Sequence, residues 1–198
     1  MFDQIKNHIN LKKLTNQHYA FLFDKYEGDE FVCLNCQTTG YNLDKDEIIS
    51  IGAVIIKNNT ILTSTKFERF ILNNISPSII EKNHIINSNE SNTKPIETII
   101  EEFLEFIGNR PIVGYYLDFD MKMINKYTEP IIGTSIPNTQ FEVSSLYYDS
   151  MIKNAKKTTV DLKFNSIIKE LNLPVIGDNN TLNDATMTAM IYLKLQKD

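Results

Sequence analysis

Apolar and polar positions along the chain alternate at two different periods, and the switches between them mark out the elements. Residues 1–28 form a polar lead-in, in which Asn16 or Thr15 can cap a short helix carrying Tyr19, Phe21, Leu22 and Phe23. Glu27-Gly28-Asp29 then breaks the pattern. Phe31 to Gln37 reads as a buried strand, and Glu47 to Lys57 as a second, too apolar to be exposed on both faces. Lys57-Asn58-Asn59-Thr60 is a hairpin signal, because Asn tolerates the positive φ of a primed turn. The chain returns as a third strand from Thr60 to Leu72, so three antiparallel strands open the domain.

Beyond this block the apolar spacing becomes helical. Pro95 can start a helix in which Ile96, Ile99, Ile100, Phe103, Leu104 and Ile107 share a face. Ile112 to Tyr115 is a short buried strand, and Asp118 can cap a helix carrying Phe119, Met123 and Ile124. Val143 to Lys153 and Leu162 to Leu171 read as amphipathic helices. Thr181 opens the last one, with Leu182, Ala185, Ala189, Leu193 and Leu195 apolar. This order predicts an α/β fold with a mixed central sheet and helices on both faces, occupying residues 29–198 after the lead-in.

Composition narrows the class. A chain of 198 residues with 42% hydrophobic and 23% charged residues is ordinary globular material, which excludes a disordered chain and a small disulfide scaffold. No apolar run approaches the roughly 18 residues of a membrane span, and no signal peptide opens the chain, so the expected location is the cytoplasm. A net charge of −5 argues against an electrostatic clamp on duplex DNA. Arg69 and Arg110 are the only arginines, so bidentate phosphate forks are scarce. Cys33 and Cys36 have the spacing of a redox pair, but a buried strand is the wrong setting, and they read as small apolar fillers.

The candidate chemistry starts from strand parity. Asn35 and Gln37 point to one face of the first strand, two oxygen-bearing side chains that could form half of a metal site. The other half would come from helix N-termini brought over that face, where Asp120 and Asp184 lie in first turns. Each acid also has a structural explanation. The helix dipole favours an acid there in any case, and Thr181-Leu182-Asn183-Asp184 is itself similar to a capping box.

Three strings carry a resemblance. FVCLNCQTTGYNLDKDEIISIGAV (31–54) resembles the first motif of the DnaQ-like DEDDh 3′-5′ exonucleases, a hydrophobic-Asp-x-Glu-Thr-Thr-Gly run followed by a strand. IVGYYLDFDMKMIN (112–125) resembles the second motif, with its acid at Asp120. GDNNTLNDATMTAMIYLKL (177–195) resembles the third, His-x4-Asp, with its acid at Asp184. The lead-in Tyr26-Glu27-Gly28-Asp29-Glu30 is similar to a polymerase III epsilon-like subgroup. The resemblance implies an RNase H-like fold. It also implies two divalent ions, Mg²⁺ or Mn²⁺, held by four carboxylates around the scissile phosphate, with a His as general base. It further implies a single-stranded 3′ end as partner, with a polymerase or another protein as a further candidate. Thr38, Thr39 and Gly40 would offer backbone groups to a terminal nucleotide. His84 falls in a string, Glu81 to Ile85, that resembles a family loop near the substrate, and Tyr115 and Tyr116 could stack on bases.

The family's catalytic set is changed at Asn35, Gln37 and Asn179, which stand in place of Asp, Glu and His; Asp120 and Asp184 match. The amides keep the shape and one oxygen each but lose the charge. A unit-charge pair at 4 Å is worth roughly 4 kcal/mol at an effective dielectric of 20, so weak or absent metal binding is expected. Asn179 has no titratable nitrogen, and Asp178 beside it is an alternative base. The expectation is a catalytically impaired exonuclease-fold protein, a pseudoenzyme that binds nucleic-acid 3′ ends. An active exonuclease releasing nucleoside monophosphates and a protein-interaction scaffold remain as alternatives.

Overall fold

The computed structural model describes residues 9–71, 93–153, 159–177 and 180–197. Its strands are β1 (Glu30–Thr38), β2 (Ile48–Lys57), β3 (Thr60–Ile71), β4 (Thr93–Lys94), β5 (Ile112–Gly114) and β6 (Gln140–Glu142). They form one six-stranded sheet in the order β4-β3-β2-β1-β5-β6. The β1–β2 and β2–β3 pairs are antiparallel, whereas β5 runs parallel to β1 and β6 parallel to β5. The hairpin between β2 and β3 turns at Asn58 and Asn59, both at positive φ (49° and 58°), as the dipeptide predicts.

The helices are α1 (Ile96–Ile107), α2 (Leu117–Ile132), α3 (Val143–Lys153), α4 (Phe164–Glu170) and α5 (Thr181–Leu195), preceded by a 3-10 helix at Gln17–Phe23. They cover both faces of the sheet, and the parity of β1 decides what lies on each. Val32, Leu34 and Cys36 pack with α1, α2 and with Leu14, Tyr19 and Leu22 of the lead-in. Cys33 points the other way, into the core shared with α3, α4 and α5. The two cysteines therefore sit on opposite faces of one strand, both free and buried, as apolar filler. Among the described residues no helix is long and apolar enough to cross a membrane.

One contact sets the height of α5 over the sheet. A Cβ placed on Gly52 would stand 2.5 Å from the Thr181 carbonyl carbon and 2.6 Å from the Leu182 nitrogen. Both are backbone atoms, which cannot swing aside as a side-chain tip can. Glycine at this point of β2 lets the first turn of α5 rest directly on the strand. Gly52→Ala is expected to lower stability by about 1–3 kcal/mol, the usual cost of overpacking a tight contact, read as a lowered urea midpoint. A midpoint equal to the parent's would mean that α5 does not press on β2.

Candidate active site

The site forms where β5 stops and β1 continues. Val32 N–H donates to Pro111 O at 2.9 Å, so the even-numbered N–H groups of β1 face β5. β5 ends at Gly114, and further along β1 the Cys36 N–H is taken instead by Asp120 Oδ2 at 3.1 Å. The carboxyl of Asp120 thus stands in for a missing strand and is only 4% exposed. Burial pushes it well above the ordinary Asp range; the Cys36 N–H opposes this, while the nearby charges of Glu142 and Asp184 add to it.

Asp120 is held there by a junction that the sequence did not announce. The N-cap of α2 is Tyr116, left-handed at φ 60° and with no side-chain cap of its own. The first N–H of the helix, on Leu117, donates to Glu142 Oε2 at 2.8 Å. The other oxygen of Glu142 accepts from Ser144 N at 3.0 Å and Ser144 Oγ at 2.7 Å, at the start of α3. Glu142 therefore caps two helices at once. The expectation that Asp118 caps α2 is corrected: it lies inside the first turn, its side chain is 84% exposed, and it pairs with Lys122 at 2.5 Å. The acceptor comes from β6, so no cap is needed from the chain preceding α2.

On the other face, β1 lies opposite β2 with Asn35 paired to Gly52 and Gln37 to Ser50. Ser50 Oγ donates to Gln37 Oε1 at 3.1 Å and lies 2.6 Å from Thr181 Oγ1. Thr181 is thus not the capping residue of a capping box. Asn180 caps α5, its Oδ1 accepting from Asn183 N at 2.9 Å, and the Thr181 hydroxyl is turned to the sheet. Asp184 follows in the first turn of α5, near enough for its charge to act on Asp120.

Asn35, Gln37, Asp120 and Asp184 are thereby brought to one end of the sheet. The two acids do not descend over one face, as the parity argument expected. α2 belongs to the layer that packs on Leu34 and Cys36, and α5 to the layer that packs on Cys33, so the acids approach β1 from opposite sides. Asn179, Asp178 and His84 lie outside the described residues.

The neighbouring candidates divide by role. Thr38 Oγ1 donates to Gly40 O at 2.7 Å. The Thr39 N–H donates to Glu47 O at 2.9 Å and its hydroxyl to Asp46 Oδ1 at 2.8 Å, so Thr39 closes its own turn. Gly40 lies against the Asp46 carboxylate, 2.6 Å from where a Cβ would stand. Tyr115 donates its hydroxyl to Leu162 O at 3.0 Å and packs on Phe164. Tyr116 is 66% exposed and Tyr41 85% exposed, and Phe119 lies between them at ring-centroid distances of 6.3 and 5.8 Å.

The donor set at this end of the sheet differs from the four carboxylates that the family resemblance implies. Positions 35 and 37 carry amides, the single oxygen of Gln37 is engaged by Ser50, and Oδ2 of Asp120 by Cys36 N–H. Among the described residues no group of three His, Cys, Asp or Glu side chains is arranged to hold a metal ion.

The architecture is that of the exonucleases. It superposes on E. coli exonuclease I in complex with a dT13 oligonucleotide with a TM-score of 0.67 at 8% identity, covering 85% of this chain and 41% of that one. Residues 32–192 match the RNase T family, described as Exonuclease, and the chain belongs to this RNase T/DnaQ-like family of 3′-5′ exonucleases. It is 30% identical over 173 residues to the DNA polymerase III subunit epsilon of Aquifex aeolicus, covering 85% of this chain and 81% of that protein. It is 28% identical over 169 residues to the PolC-type DNA polymerase III of Thermotoga petrophila, covering 85% of this chain but 12% of that much longer protein.

The raised Asp120 carboxyl has a consequence for stability. Its proton-bound form contributes stability that is fully present below the ordinary Asp value, about 3.9. That contribution is lost as pH rises from there through the raised one. Asp120→Asn, a neutral near-isostere that keeps an acceptor for Cys36 N–H, is expected to match the parent at pH 4 and exceed its urea midpoint at pH 8, both in EDTA. Equal loss at both pH values would contradict the assignment.

Proposed function

We propose that this protein binds the 3′ end of a single-stranded nucleic acid in an exonuclease-fold pocket whose cleavage chemistry is impaired. The observation that carries this reading is the charge of the site: amides at Asn35 and Gln37, with Asp120 and Asp184 as the acids that match the family pattern. With amides in place of two of the four carboxylates of the family pattern, the site offers less negative charge to Mg²⁺, which dehydrates reluctantly and is bound through carboxylates. Asn179, where the family pattern has a His, cannot take a proton from an attacking water.

Substrate binding needs less than catalysis does. The exposed Tyr41 and Tyr116 flank Phe119 beside Asp120 and form an aromatic surface on which bases can stack. Family membership and the fold shared with an exonuclease solved on an oligonucleotide support a strand end as the ligand. Mg²⁺ or Mn²⁺ is the ion this family pocket would take, and weak binding is the expectation here.

The test is degradation of 5′-labelled single-stranded DNA and RNA in Mg²⁺ and then Mn²⁺. The chain is run beside its Asn35→Asp, Gln37→Glu, Asn179→His triple variant. The expected result is a silent parent and a triple variant that cuts and is stopped by EDTA. A parent that cuts in proportion to its concentration, and stops in EDTA, would favour an active exonuclease and make Asp178 the next residue to remove.

A further inference from the structure

Position 37 holds an amide whose orientation is fixed from its buried end. Ser50 is fully buried and Thr181 is 1% exposed, and their hydroxyl oxygens are 2.6 Å apart. Each hydroxyl has one proton to donate. If the Gln37 amide were reversed, its N–H would donate to Ser50 and Ser50 to Thr181. The Thr181 proton would then have no acceptor among the described residues, in a place that water does not reach. A buried donor left unpaired is costly. With Gln37 Oε1 facing Ser50 at 3.1 Å, the chain runs Thr181 to Ser50 to Gln37 and both hydroxyl protons are used.

This orientation matters because an amide has one oxygen. A carboxylate at position 37 could give one oxygen to Ser50 and keep the other for a cation. Gln37 gives its only oxygen to Ser50, and what remains at the half-buried end of the side chain is Nε2, with no hydrogen-bond partner among the described residues. The Asn35 side chain shares this face and likewise makes no hydrogen bond to a described residue. Glu142, the carboxylate beside Asp120, already accepts from Leu117 N, Ser144 N and Ser144 Oγ, which offset its charge.

We propose that the Thr181–Ser50 relay turns position 37 from a cation ligand into a hydrogen-bond donor. On this account the Gln37 side-chain N–H holds a phosphodiester oxygen of the strand end directly, without a divalent cation. The proposal rests on the 3′-end binding proposed above.

The experiment is fluorescence anisotropy of a short 5′-labelled thymidine oligonucleotide with the full chain, in EDTA and in Mn²⁺, for the parent, Gln37→Glu and Gln37→Met. Melting temperatures verify that each variant is folded. The parent is expected to bind in EDTA and to change little in Mn²⁺. Both variants are expected to bind about tenfold more weakly in EDTA, the order expected for losing a hydrogen bond to a charged group. Only Gln37→Glu should recover affinity in Mn²⁺. A parent that binds only with Mn²⁺, or variants that bind as tightly as the parent in EDTA, would overturn the donor assignment alone. A parent that binds in neither condition would overturn the 3′-end reading itself.

Discussion

The seat of α5 on β2 at Gly52 is the contact on which the rest of the site depends. Because the helix backbone lies directly on the strand, Thr181 comes within hydroxyl distance of Ser50, and Ser50 in turn reaches Gln37. The same seat brings Asp184 to the end of the sheet where Asp120 already caps the edge of β1. A larger residue at position 52 would lift the helix and loosen each of these placements together. The site is therefore a property of backbone packing first and of side chains second.

Much of this architecture was legible in the sequence. The β1–β2–β3 block follows from two apolar runs and an Asn-Asn turn, and α1 from Pro95 and a clean apolar face. The shared face of Asn35 and Gln37 follows from the two-residue period of a strand. β4 and β6 were not legible, because strands of two and three residues carry no period. Glu142 escaped notice for a related reason: it caps α2 from another element, and a cap supplied across the fold leaves no local motif. Asp118 looked like the cap only because the true acceptor lies 25 positions from Leu117. The Ser50–Thr181 bond joins residues 131 positions apart, and no short-range pattern encodes such a pairing.

The chemistry follows from what the amides keep and what they lose. They preserve the size of the side chains at positions 35 and 37, so the strand, the relay and the cradle of Asp120 persist. They carry no charge to set against the hydration of a divalent ion. Burial favours a proton on the Asp120 carboxyl, and the charges of Glu142 and Asp184 add a smaller push in the same direction. On the proposed reading, such a pocket would receive a strand end and be poorly equipped to cleave it.

The most direct test of this account is calorimetric titration of Mn²⁺ into the unmodified chain in the absence of nucleic acid. The account predicts no saturable heat at millimolar ion concentrations, because two neutral amides stand where the ion pair needs charge. A saturable isotherm with two ions bound per chain would contradict it.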